Sequence, residues 1–213
     1  MGFSKIKAVK KGFERLKEDP LIITGITLVA VVYWVIPFYI IRFLLGVNEL
    51  LGSLLVLIIL PAWFLILIGY MKAITSIYDE ETANLQDLFL HYERLPDFLI
   101  CFLFYFLSVG AGLFLFIIPG IILFVKLSFC LLFILQGEGS AIKAIKKSWK
   151  VTGGNFFNIL IFYLLLLIFN LLGFLLIGLG VLITVPVSFM AVIFVYRELF
   201  NYYTKKEIRE VSS

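Results

Sequence analysis

The chain has 213 residues, of which 62% are hydrophobic and 15% charged, with a formal net charge of +4 and a mean hydropathy of +1.10. Globular proteins are about 25% charged, and a soluble fold of this length lacks the polar surface to cover so much apolar side chain. The composition excludes an ordinary soluble domain and points to a polytopic membrane protein, for which six spans of about 20 residues each fit the length.

Residues 1–19 read as an amphipathic interfacial helix. Phe3, Ile6, Val9, Phe13 and Leu16 recur at helical spacing, while Lys5, Lys7, Lys11, Glu14, Arg15 and Glu18 take the other faces, the pattern of a helix lying apolar side down on a membrane. Asp19-Pro20 then stops that helix and caps the next. The apolar run after Pro20 is too long for a secretory signal and has no small-residue cleavage site, so a cleavable signal peptide is not expected.

Residues 20–200 read as a six-helix transmembrane domain with spans at about 20–41, 50–71, 98–118, 120–136, 156–177 and 180–200. Arg42–Glu49 is a short polar interruption between the first two spans. Lys72–Asp97 is a polar loop with a small amphipathic piece carrying Leu85, Leu88, Phe89 and Tyr92. Phe98–Leu135 is one apolar run, about 57 Å long as a helix and nearly twice the hydrocarbon thickness, so it must fold into two spans; Pro119-Gly120 is the turn signal. Gln136–Gly154 is polar and basic, with Ile142, Ile145 and Trp149 on one face and Lys143, Lys146, Lys147 and Lys150 around it. Those four lysines and Trp149 are expected to anchor an interface helix on anionic headgroups. Thr152-Gly153-Gly154 ends that helix; no strand precedes it, so it is not a phosphate loop. The last apolar run, Phe156–Phe200, divides at Gly178–Gly180, and residues 201–213 form a short charged tail.

All Lys and Arg except Arg42 and Lys126 fall on the side that carries both termini. The positive-inside rule then places both termini in the cytoplasm of a cell with this protein in its plasma membrane. The three hairpins also resemble one another. Each begins at a capping residue, Asp19, Asp97 or Asn155, and their second helices align at Pro61–Phe64, Lys126–Phe129 and Pro186–Phe189, with Leu115–Phe129 running against Leu175–Phe189 without a gap. A parallel threefold internal repeat is the expectation.

The runs Leu115–Leu123, Ser128-Phe129 and Ala144–Phe156, followed by Gly178–Pro186 and Tyr196, resemble the membrane domain attached to some glycerophosphoryl diester phosphodiesterases and that domain's stand-alone relatives. The resemblance runs from about Leu85 to Phe200 and implies a six-helix integral membrane domain. It implies no hydrolysis, because the phosphodiesterase proper is a separate soluble barrel.

Within the spans the polar residues are few. Lys126 lies about 9 Å below Gly120, with Asn170 about 12 Å below Gly178 and Thr184 about 6 Å below Gly180. Their similar depth suggests an anion-attracting cavity for a lipid phosphate or small solute; the alternative is a Lys126 that snorkels to the outer interface or pairs with Glu49. Pro61 and Pro186 would free backbone carbonyls in mid-span. Cys101 and Cys130 read as inert packing residues, and His91 is the single histidine, so no metal site or cofactor is expected. No acid, base and nucleophile come together, which argues against an enzyme. The lysines flank a membrane-facing stripe, which argues against nucleic acid. The favoured expectation is a non-enzymatic scaffold or partner subunit for lipid-handling or other membrane machinery, meeting anionic lipids and another membrane protein. The second expectation is a small transporter or lipid-moving protein working through Lys126.

Overall fold

A computed structural model describes residues 3–79, 95–137, 139–175 and 180–212. Among them are nine helices and no strands: α1 (Lys5–Glu18), α2 (Pro20–Val47), α3 (Glu49–Tyr78), α4 (Leu95–Leu115), α5 (Ile117–Leu127), α6 (Cys130–Leu135), α7 (Ala141–Thr152), α8 (Phe156–Leu175) and α9 (Val181–Ser212). Five are long and apolar enough to cross a membrane: α2, α4, the stacked pair α5–α6, α8 and α9 through Arg209; α3 adds the apolar segment Trp63–Tyr78. The protein is a multi-pass, all-α membrane protein. The amphipathic piece at Leu85–Tyr92, His91, and the residues Glu81, Asp87, Glu138 and Gly178 lie outside the described residues.

The chain forms two compact units, residues 19–95 and residues 1–18 with 96–213. In the first, α2 and α3 make an antiparallel hairpin. Asp19 takes the N-cap position and Pro20 the first turn, without a side-chain capping bond. The expected polar loop at Arg42–Glu49 does not form. One Arg amid good helix formers does not stop a helix, and α2 runs through Arg42 to Val47. The stop is Asn48, extended at φ −153°, whose side chain accepts from Leu50 N (3.0 Å) and Leu51 N (3.2 Å) and caps α3. Gly52 then lets the helices close: a Cβ there would sit 2.9 Å from Leu45 Cα.

Pro37, inside α2, has no amide proton, so the carbonyl of Tyr33 one turn earlier loses its helical donor. The indole Nε1 of Trp63 on α3 donates to that carbonyl at 3.3 Å, and the Trp63 ring stacks on Trp34 at 5.0 Å. In a hydrocarbon environment an orphan carbonyl must find such a partner. Nearer the other end of the hairpin, the hydroxyls of Thr27 and Tyr70 approach to 3.4 Å, both residues buried.

In the second unit, α4 ends at Leu115 and only Phe116 is extended before α5 begins. The turn is therefore earlier than Pro119-Gly120. Proline sits comfortably in a helix's first turn, where its missing N–H has no partner to lose. Gly120 marks a contact: a Cβ on Gly112 would come within 2.8 Å of Gly120 Cα, so α4 and α5 touch backbone to backbone. Between α6 and α7, Gly137 (φ 83°) and Gly139 (φ 103°) take the left-handed backbone that turns α7 back onto α6.

The second helix of each pair is the buried one. Within the most apolar window, α5–α6 is 44% and α9 50% buried, against 17% for α4 and 22% for α8. Phe129, Phe133, Tyr196 and Phe200 form an aromatic cluster between α6 and α9, and Tyr196 donates to Gln136 Oε1 at 2.7 Å. The charged tail is no separate segment, since α9 continues as one helix to Ser212.

Helix α1 packs on α9 through a face that only partly follows its apolar periodicity. Ala8, Gly12 and Leu16 are buried, while Ile6 is 77% exposed. Small side chains at i, i+4 spacing let two helix backbones approach, which bulky ones prevent. Phe3 and Phe13 flank the seam, edge-on to Phe162 and Phe169 of α8, and Lys5 Nζ donates to Asn158 Oδ1 at 3.2 Å.

A Cβ on Gly12 would lie 2.6 Å from the carbonyl oxygen of Val187, a backbone atom that cannot step aside. Gly12→Ala is therefore expected to destabilise the protein by about 1–3 kcal/mol. Gly25→Ala, where a Cβ meets nothing within 4 Å, should be neutral or slightly stabilising. Thermal unfolding of the two variants in detergent checks the contrast.

Candidate functional site: a broken span and its docked helix

The span formed by α5 and α6 is interrupted at Ser128-Phe129. A break inside a membrane span exposes backbone groups that water would satisfy elsewhere. Here α7 supplies the partners. The Ser148 hydroxyl, wholly buried, donates to Lys126 O at 2.8 Å and accepts from Phe129 N at 3.3 Å, so one side chain serves both edges of the break. Thr152 Oγ1 lies 3.3 Å from the same carbonyl. Ser128 closes its own turn on Val125 O at 2.9 Å.

This docking selects the face of α7. Ala141, Ala144, Ser148, Val151 and Thr152 are buried against α5 and α6. Of the apolar residues expected to lie on the membrane, Ile142 and Trp149 are 63% and 46% exposed and Ile145 is half-buried. Lys143, Lys146 and Lys150 are exposed and Lys147 half-buried. The signal for the buried face was present as a stripe of small residues, which hydrophobicity alone does not mark. Asp97 is also reassigned. It lies in the first turn of α4, and its Oδ1 accepts from Ala141 N at 3.1 Å, so it caps α7 rather than its own helix.

Lys126 joins this arrangement. Its Nζ lies 5.3 Å from the centroid of the Trp149 ring and beside Gly153, at the end of α7 where the carbonyls of Trp149 and Lys150 converge. A cation there is favoured by the ring's negative face and by the negative end of the helix dipole. Depth counted from Gly120 missed this, because the partner comes from a helix later in sequence that doubles back on the span.

Asn170 and Thr184 lie on α8 and α9, and each meets the facing helix through a different residue. Asn170 Nδ2 donates to Ser188 Oγ at 2.7 Å, and the bare Gly173 makes room for the Thr184 hydroxyl one turn away. Asn170 Oδ1 and Thr184 Oγ1 are buried without a hydrogen-bond partner, as is Asn155 Oδ1 at the start of α8. Lys126 is directed to α7 and does not complete that group. Ser188 is the member that sequence reasoning missed.

Cys101 on α4 and Cys130, the first residue of α6 next to the break, are both buried free thiols. Among the described residues no three His, Cys, Asp or Glu side chains converge on a metal-sized site. Chemically, then, the arrangement satisfies backbone and holds a basic helix.

A family model described as a domain of unknown function (DUF7847) matches residues 97–200, the stretch from the Asp97 cap through the broken span to α9. No curated protein and no solved structure matches the chain.

Removing the Ser148 hydroxyl leaves Phe129 N without its acceptor inside the protein, while Thr152 still reaches Lys126 O. Ser148→Ala should cost about 1–3 kcal/mol, the cost of an unsatisfied buried group. Ser53→Ala, whose exposed hydroxyl bonds only Glu49 O of its own helix, should stay within about 0.5 kcal/mol of the parent. Chemical or thermal unfolding in the same detergent measures both.

Proposed function

We propose that this chain is a non-enzymatic membrane scaffold or partner subunit, six spans with both termini in the cytoplasm, that presents basic amphipathic helices to anionic lipid and to a neighbouring membrane protein. The observation that carries the reading is the way α7 is held. Its backbone-facing hydroxyls are committed to the break, and its free face carries Lys143, Lys146 and Lys150 beside the exposed Ile142 and Trp149. Helix α1 repeats the pattern, seamed to α9 with Lys7, Lys10, Lys11 and Lys17 outward. A basic face interrupted by exposed aromatic and aliphatic side chains suits a headgroup layer or an acidic partner surface at the membrane edge.

The threefold repeat belongs to this reading. Two docked helices support it: α7 lies on the second helix of the hairpin before it, and α1 lies on α9, the second helix of the last hairpin, as a cyclic arrangement would require. The burial of the aligned rings supports it less well, Phe129 being wholly buried and Phe64 and Phe189 half-buried. The likeness to the membrane domain of glycerophosphoryl diester phosphodiesterases is compatible with a lipid-handling partner. The alternative, transport through an anion-attracting cavity at Lys126, Asn170 and Thr184, has less to draw on. Lys126 turns to Trp149, and Asn170 offers the remaining group an acceptor oxygen, which an anion does not seek.

Two experiments test the proposal. With Cys101 and Cys130 replaced by Ala, single cysteines at Lys10, Lys146 and Lys205 should resist impermeant thiol reagents in intact cells, and one at Val47 should be labelled; labelling of Lys146→Cys from outside would overturn the topology. Extraction in a lipid-retaining polymer followed by mass spectrometry should recover anionic lipid or one polypeptide at fixed stoichiometry. The triple substitution of Lys143, Lys146 and Lys150 by Gln should remove it, with the fold intact by circular dichroism.

A further inference from the structure

The hairpin of α2 and α3 carries a groove of its own. It has a volume of about 580 Å³, within the range of about 300–1,000 Å³ usual for small-molecule sites. Its walls are Phe38, Ile41 and Leu45 from α2 and Val56 and Trp63 from α3, all apolar along their length. One charged residue stands among them, Arg42.

The positions of these residues along the hairpin set an order. Arg42 is six residues from the Asn48 turn, about 9 Å along the helix, and Trp63 is about 22 Å from it. Headgroup layers take up roughly 5–8 Å on each side of a 30 Å hydrocarbon core. With the turn at the membrane surface, the guanidinium sits at the inner edge of the headgroups, and the apolar walls descend beneath it. Gly46, one turn above Arg42 on the same stripe, has open space where a side chain would begin, so the mouth is unobstructed beside the cation. Arg42 is exposed and makes no ion pair among the described residues, Glu49 included. The floor is held rigid, because the Trp63 indole is pinned to Tyr33 O and stacked on Trp34.

We propose that this groove binds one anionic glycerophospholipid, its phosphate on Arg42 and an acyl chain along Phe38, Ile41 and Trp63. The guanidinium fork matches phosphate oxygens in pairs. A headgroup without its own ammonium leaves that charge for Arg42 alone, and the apolar walls take a chain rather than a water-soluble solute. The site draws its lining from α2 and α3 alone. It depends on the hairpin being embedded in the membrane, not on the partner-subunit reading.

Trp63 reports directly on the groove. In the full chain with Trp34→Phe and Trp149→Phe, Trp63 is the remaining tryptophan, and phosphatidylglycerol or phosphatidylcholine with brominated acyl chains quenches it on contact. In reconstituted vesicles the brominated phosphatidylglycerol should compete for contact with Trp63 roughly tenfold better than the phosphatidylcholine, the gain expected of a charge-assisted hydrogen bond. Arg42→Gln should reduce the preference to near unity and Arg42→Lys should restore part of it. Equal quenching by the two lipids in the parent, or a preference unchanged in Arg42→Gln, would overturn the proposal. Loss of the preference on adding millimolar inorganic phosphate would also overturn it, since the site would then hold a free anion and no chain.

Discussion

Hydrocarbon offers no hydrogen bond to a broken backbone, and the interruption at Ser128-Phe129 is the place where this fold confronts that constraint. The carbonyl of Lys126 and the amide of Phe129 both find their partner in one buried hydroxyl, Ser148. Much of the second unit follows. To bring Ser148 to the break, α7 must turn back on α6 through Gly137 and Gly139, and it must present small residues so that its backbone comes close. Asp97 then meets its first amide, and Lys126 and Trp149 close its last turn. The same rule operates in the α2–α3 hairpin, where Trp63 supplies the donor that Pro37 withholds from Tyr33.

Small-residue seams are the second organising device. Without a hydrophobic difference between lipid and side chain, helices associate in a membrane through close packing, and the contacts at Gly12, Gly52, Gly112 and Gly173 are of that kind. The seams at Gly12, Gly112 and Gly173 fall on α5–α6 and α9, the most buried of the long apolar spans. Ile6 of α1 and Ile142 and Trp149 of α7 are thereby left exposed next to lysines, and this gives the proposed lipid- and partner-facing surface its mixture of charge and apolar side chain.

Composition and hydropathy were enough to read the membrane class, the apolar helices, the Asp19-Pro20 start and the Thr152-Gly153-Gly154 stop, because each depends on local sequence. The features that were not legible depend on neighbours far along the chain. Asn48 looks like one polar residue among several until its side chain is seen to cap α3. The faces of α1 and α7 were assigned by hydrophobicity, whereas Ala8-Gly12 and Ala144-Ser148 were chosen by the helix opposite. Lys126 has a partner 23 positions later, and nothing around it in sequence announces Trp149. Asn170 and Thr184 were grouped by depth below the hairpin turn; each meets the facing helix through its own partner, Asn170 at Ser188 and Thr184 at Gly173, and Ser188 could not be picked out by depth alone.

The claim on which this account rests most is that α7 is fastened to the break through Ser148, and the amide proton of Phe129 reports it residue by residue. Hydrogen exchange followed by NMR in a lipid nanodisc should find that amide protected in the parent protein. In Ser148→Ala it should exchange much faster, while the amides of Phe133 and Gln136, bonded to Phe129 O and Leu132 O within α6, remain slow. A Phe129 amide that exchanges equally fast in both proteins would contradict the account.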